Sequence, residues 1–252
     1  MRYIFLLLLL GHALGNFYFR KKGAAEDETS RARESRLHML IYAIAAAIVF
    51  FASMQISLPL VILWVLTVAA HIVIDTAVAW LAVMLPNDRL SQMMRKYRFF
   101  ISQILHLIVL LVLAVGFNSR LQLYPWLVSV SLPPSFLVYV TGVVYLLNPV
   151  SFAITEFFLA TGLAGNVGVP EDETQSSFVR AGSLIGMLER VLAFILITNN
   201  QYAAVGFLLA AKTVTRFKDL EKREVAEYYL IGTLLSITAA FLLAMACNLL
   251  AR

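Results

Sequence analysis

Cysteine is nearly missing from this sequence. Cys247 is the only one in 252 residues, so no disulfide can close within the chain and no Cys-based zinc motif can form. Charge is scarce too: Asp, Glu, Lys and Arg make up 14 % of the residues, too few to clothe a water-soluble shell of this size. Seven prolines and twelve glycines are few for a fibrous or disordered chain. A Walker loop, a nucleophile elbow and an H-E-x-x-H motif are all lacking. The stretch from Gly162 to Gly168 has no lysine and runs into Pro170 and three acids, so it reads as a flexible loop and not a phosphate cradle. Nothing here points to soluble-type ATP chemistry.

What is present is apolar. Hydrophobic residues make up 61 % of the chain and its mean hydropathy is +0.82, so lipid must do much of the solvating. The apolar residues come in runs near bilayer length and not as short alternating strands, which argues for helices over an outer-membrane barrel. The expected fold is all-α, a polytopic transmembrane helical bundle of about eight spans, forming a single integral membrane domain over 1–252. A net charge of +5 would suggest nucleic acid in a soluble domain, but here the basic residues lie between apolar runs, where they set topology. The partner they imply is the lipid bilayer, with no nucleic acid.

The runs predict helices near 3–19, 37–56, 60–85, 99–117, 134–163, 182–198, 201–215 and 226–250. Arg2, a leucine run and Ala13-Leu14-Gly15 also resemble a cleavable secretory signal. However, His12 within the run and Arg20, Lys21 and Lys22 after it fit a retained first span with a cytoplasmic basic flank. Pro125, Pro133, Pro134 and Pro149 interrupt 118–163, which could hold one kinked span or three shorter pieces. Fifteen of the 20 Lys and Arg fall in the loops 20–36, 86–98 and 212–225, all on one side of an eight-span chain. By the positive-inside rule that side is the cytoplasm and both termini are non-cytoplasmic. The acidic 164–181 loop then falls on the cytoplasmic side as well. Gly11 and Gly15, like Gly182 and Gly186, put small residues four apart, which invites another helix to approach closely.

The ionisable residues inside the spans say most. His12 and Asn16, His71 and Asp75, and Ser102 and His106 are each four apart, so each pair shares one helix face. Measured from the expected cytoplasmic ends, His12 and His106 both lie about 10 Å deep and Asp75 about 15 Å. His38 falls at the mouth of span two and Glu189 at a level close to the histidines. Several spans thus converge on one layer, predicting a cytoplasm-facing polar pocket in the inner third of the bilayer. Ionisable groups in lipid are costly unless paired or hydrated, so these side chains should face the interior. Three readings remain. The pairs hold spans together; or imidazoles and a carboxylate at helical spacing bind a divalent cation, zinc first; or the same groups relay protons or bind a substrate in transport.

A second cluster is basic. Glu189 and Arg190 are adjacent, point to different faces and each need another partner. Lys212 and Arg216, one turn apart, could hold phosphate or an anionic lipid head group, or simply snorkel and enforce topology. Glu156 is a further acid, near Asn148, Ser151 and Thr155.

Gly11-His12-Ala13-Leu14-Gly15-Asn16-Phe17, Leu37-His38 with Tyr42, Ala70-His71 through Asp75, and Gln103 to His106 resemble a family of bacterial multi-span membrane proteins catalogued as a domain of unknown function. Gly182 through Arg190, Gly206 to Lys212, Arg216-Phe217 and Ala226 through Ser236 are similar as well. The resemblance implies a bacterial inner (cytoplasmic) membrane location. Where that family usually carries aspartate this chain has Asn16 and Ser102, and an amide or hydroxyl is a poorer cation ligand than a carboxylate. The His-x-x-x-Asp stripe is also similar to that of membrane-bound metal-dependent hydrolases, which implies an enzyme.

The expectation is therefore an intramembrane site with His12, His71, Asp75 and His106 as metal ligands. Asp75 or Glu189 would be the catalytic acid or base, and His38, Arg190, Lys212 and Arg216 would lie toward a substrate head group. The site would bind a divalent metal, zinc, or a phosphate-bearing amphiphile such as an anionic lipid. As an enzyme it would perform metal-assisted hydrolysis. A transporter or lipid flippase and a non-catalytic scaffold are the alternatives.

Overall fold

A computed structural model describes residues 2–19, 28–84, 89–125, 127, 135–163, 173–215 and 223–251. Among them are eight α-helices: α1 Arg2–Ala13, α2 Glu28–Ser53, α3 Leu58–Met84, α4 Arg89–Phe117, α5 Ser135–Thr161, α6 Glu173–Thr198, α7 Tyr202–Thr215 and α8 Arg223–Ala251. A helix therefore underlies every apolar run. Five of them contain stretches long and apolar enough to cross a membrane: Arg33–Ser53, Leu58–Ala82, Ser91–Phe117, Ser135–Thr161 and Val225–Ala251. The interrupted middle region holds one long helix among the described residues, α5, with Pro149 inside it. Pro133 and Pro134 lie outside the described residues, as do Arg20–Lys22, the Gly165–Asp172 part of the acidic loop, Arg216, Lys218 and Lys222.

Several helices begin before their apolar runs. α2 starts at Glu28, α4 at Arg89 and α6 at Glu173, so parts of three expected loops are helical. Hydropathy marks where lipid begins, whereas Glu, Arg, Lys and Gln are good helix formers that carry a helix past that boundary. α4 records the junction at Tyr97, where φ of −108° and ψ of 16° interrupt the helical backbone.

By packing, the chain divides into two compact units, Met1–Leu137 and Val138–Arg252. In the first unit α1 packs on α2, α2 on α3, α3 on α4 and α4 back on α1. Two glycines set the approach of α1 to α2. A Cβ on Gly15 would stand 2.9 Å from the Tyr42 Cα, so only hydrogen fits there, whereas one on Gly11 would press on the Phe50 Cε1 at 3.2 Å and make ordinary contact with the Ala46 Cα at 3.5 Å. Gly186 behaves differently: a Cβ there would meet nothing within 4 Å, so it sets no close helix contact.

One half of this unit is wholly apolar. Leu8, Phe50, Met54, Leu60, Leu63 and Ala114 are fully buried there. Its end is closed by backbone pairing: the Gln55 amide donates to the Gln122 carbonyl (2.8 Å) and the Tyr124 amide to the Ser53 carbonyl (3.1 Å). The outward faces are also apolar, with Ile48, Val65, Val73, Ile108 and Val112 exposed. That pattern suits a lipid solvent and is foreign to a water-soluble protein.

In the second unit α6 packs on α8 and on α7. A Cβ on Gly142 would collide with the Cys247 Sγ at 2.7 Å and press on the Phe194 Cζ at 3.1 Å, so α5, α6 and α8 meet there. Tyr139 donates to Asn248 Oδ1 at 3.0 Å, joining α5 to α8 by a hydrogen bond.

Candidate metal centre

The half of the first unit away from the apolar core carries the polar side chains. His12, His71 and His106, from α1, α3 and α4, form a tight group: ring centroids lie 5.8 Å apart for His12 and His71, 4.9 Å for His12 and His106, and 4.6 Å for His71 and His106. All three are buried. His38 enters from α2, its ring 5.6 Å from that of His71. One turn along α2, Tyr42 stacks on His71 with 3.7 Å between centroids and 4° between planes.

Asp75 is the one acid of the group and the most open member, its side chain 36 % exposed. It follows His71 by one turn, and His71 Nε2 lies 3.5 Å from its Oδ2. Ser102 donates to Asp75 Oδ1 at 2.9 Å, and His106 Nε2 stands 3.9 Å from the same oxygen. Single ligand atoms from His38, His71 and Asp75 all lie within 4.8 Å of one another. In a tetrahedral zinc site with bonds of about 2.0–2.1 Å, neighbouring ligand atoms are about 3.3 Å apart. The His71–Asp75 separation is close to that value and the rest need only modest contraction.

The hydrogen bonds fix which nitrogens are free to act. His106 Nδ1 lies 2.7 Å from the Ser102 carbonyl oxygen. A carbonyl only accepts, so Nδ1 carries the hydrogen and the neutral ring turns its lone pair out through Nε2. That nitrogen is buried, makes no hydrogen bond among the described residues, and faces a carboxylate oxygen that is also an acceptor. Two acceptors held this way need a proton or a cation between them.

His12 is held differently. Gln103 Oε1 receives Asn16 Nδ2 at 3.4 Å and lies 3.3 Å from His12 Nε2, so Nε2 is the donor. The Tyr42 hydroxyl, 3.4 Å from His12 Nδ1, then donates to the remaining lone pair. Both His12 nitrogens are thus engaged within the protein. The donor set nearest together is His38, His71 and Asp75, and His106 Nε2 lies 3.9 Å from Asp75 Oδ1. His38, expected toward a head group, stands in that set with His71 and Asp75, and His12, expected as a ligand, is not in it and is bonded to Gln103 and Tyr42 instead.

Asn16 and Ser102 each have a task that the sequence does not reveal: Asn16 orients Gln103 and Ser102 orients both Asp75 and His106. Asn16 sits in a π-widened turn, Leu14–Tyr18, a distortion that re-aims side chains within a helix. Tyr42 and Gln103 lie in the stretches that carry the family resemblance, but with no charge or metal-ligand signature the sequence gives them no role at the site. The trace of Tyr42 in the sequence is its place four residues after His38, on the same face of α2.

Glu189, Arg190 and Lys212 belong to the second unit. Glu189 forms a close ion pair with Lys212, whose ammonium also lies over the Tyr229 ring at 5.4 Å. Arg190 is buried, its Nε donating to the Leu146 carbonyl at 3.1 Å and its Nη2 to Ser151 Oγ. Each of the two adjacent residues therefore has its own partner, and Lys212 is neutralised.

Residues 4–130 match a family described as Protein of unknown function (DUF3307). The matched residues cover half of the chain and hold every member of the histidine cluster. No curated protein and no solved structure matches.

Proposed function

The chain belongs to that family, and we propose that it is a multi-pass protein of the bacterial inner membrane whose first unit binds a divalent cation, zinc, through His38, His71, Asp75 and His106. The observation that carries this reading is the His106–Asp75 pair: a buried imidazole lone pair aimed at a carboxylate oxygen 3.9 Å away. A bound cation would relieve that opposition. Three imidazoles and a carboxylate suit zinc better than magnesium or calcium, which take oxygen ligands. Tyr42, Ser102 and Gln103 supply the outer support that metal-binding imidazoles and carboxylates usually have. The expected ligand His12 becomes part of that support.

The reading stops at binding. Asp75 would be a ligand and Glu189 is engaged with Lys212, so neither acid is spare to take a proton from water. The site would tie α2, α3 and α4 together and admit exchange at the exposed side of Asp75.

Metal analysis of detergent-purified protein, loaded with zinc and washed, tests the proposal. About one tightly held zinc per chain is expected, lost in His71→Ala and Asp75→Asn and retained in His12→Ala. Equal zinc in wild type and in the His71→Ala and Asp75→Asn variants would end it.

A further inference from the structure

A second site is built around Arg190, in the second unit and independent of the metal reading. α5 is long and apolar enough to cross a membrane. Leu146, whose carbonyl accepts from Arg190, lies 11 residues from Ser135 and 15 from Thr161, about 16 and 22 Å along the helix. The guanidinium is therefore held near mid-height of a span, where a charge is costly and almost always serves a function.

Its local setting is specific. Pro149 has no N–H and disturbs the hydrogen bonding of the turn before it, and the Leu146 carbonyl lies in that turn. The Ser151 hydroxyl donates to the Leu147 carbonyl at 2.6 Å, which leaves its oxygen to accept from Arg190 Nη2. Both partners are neutral. Among the described residues no carboxylate forms an ion pair with Arg190, and its neighbour Glu189 is bound to Lys212. The three side chains together carry one net positive charge. With 5 % of its surface exposed, Arg190 is buried without a contacting counter-ion.

The Nε and Nη2 donors form one edge of the planar fork, and α5 occupies that edge. The end-on edge, made by Nη1 and the second Nη2 hydrogen, donates to no described residue. Two parallel N–H groups on a guanidinium are the geometry that grips an oxyanion with two hydrogen bonds.

The geometry points to Arg190 as the seat of a phosphate group, gripped by its end-on edge while Leu146 and Ser151 hold the other edge. Ser151 is a positioning residue. A phosphate at that depth has left the interface, so it is bound as a counter-ion within the protein or on its way across.

The test is the thermal stability of the detergent-purified full chain, with EDTA present to keep any metal out, titrated with inorganic phosphate and separately with short-chain phosphatidic acid. Wild type should be stabilised by at least one of them. Arg190→Lys, which keeps the charge and loses the fork, should need roughly tenfold more ligand, and Arg190→Gln should not respond. A response to inorganic phosphate identifies a free anion, and a response to phosphatidic acid alone identifies a lipid head group. His71→Ala should respond as wild type does. No response in wild type, or the same response in Arg190→Gln, overturns the site. If Arg190→Gln does not fold, an unchanged response in Arg190→Lys does so.

Discussion

Tyr42 lies flat against His71, ring on ring, while its hydroxyl reaches His12 on another helix. One aromatic residue thus fixes the plane of one histidine and the hydrogen bonding of a second. If His71 is a ligand, its orientation is set from α2 and not only by its own helix.

Removing the hydroxyl and removing the ring should therefore have different effects. Tyr42→Phe keeps the stack and should change zinc affinity little. Tyr42→Leu lets the His71 ring turn and should weaken zinc by about tenfold, the lower end of what outer-support changes cost. Competition with a zinc-binding dye measures both. Equal affinities for the two variants would show that the stack does not orient a ligand.

Ser102 donates to Asp75, so Ser102→Asp puts a second carboxylate where a hydroxyl now serves the first. Two such groups at close range repel unless a proton or a cation lies between them. The Asn16→Asp, Ser102→Asp double variant should be less stable than wild type in EDTA and more strongly stabilised by zinc. Thermal unfolding with and without metal reads this out. A double variant indifferent to zinc would mean that position 102 does not face the ion.

Gly15→Ala places a Cβ 2.9 Å from the Tyr42 Cα. Backbone cannot yield as a flexible side chain can, so α1 must move away from α2. A loss of about 1–3 kcal/mol is expected, typical of overpacking. Gly186→Ala, which meets open space, should be neutral or slightly stabilising, since Ala is the better helix former. Denaturant titration in micelles compares the two.

Lys212 and Glu189 are each less than a fifth exposed. Glu189→Gln leaves a largely buried ammonium without its partner and should cost about 3 kcal/mol. Lys212→Met together with Glu189→Gln should recover most of that, because a buried pair can often be replaced by apolar groups. A double-mutant cycle on unfolding free energy measures the coupling. Additive losses would indicate that the pair contributes nothing beyond its two side chains.

The sequence reveals the helices because lipid imposes a length and a polarity that composition records directly. The meeting of His12, His71 and His106 follows from periodicity and depth alone, since three polar stripes at one level have to turn inward. What the sequence hides is the division of labour within that meeting. His12 and His106 look alike as letters, yet Gln103 and Tyr42 close off one while the Ser102 carbonyl aims the other at Asp75. Those partners are ordinary residues on other helices or one turn away, and their roles depend on rotamers and on the π-widened turn at Asn16. Helix ends are hidden for a related reason. Arg89 to Tyr97 carries the charges of a loop but has helix-forming side chains, and only the backbone angles at Tyr97 mark the junction.

The backbone pairing between Ser53–Gln55 and Gln122–Tyr124 and the packed apolar half beside it leave the polar side chains of the first unit gathered at its other half. If the proposed cation binds, its exchange is expected at the exposed side of Asp75 rather than through the packed apolar half. An ion held by those side chains would then exchange from one end of the unit.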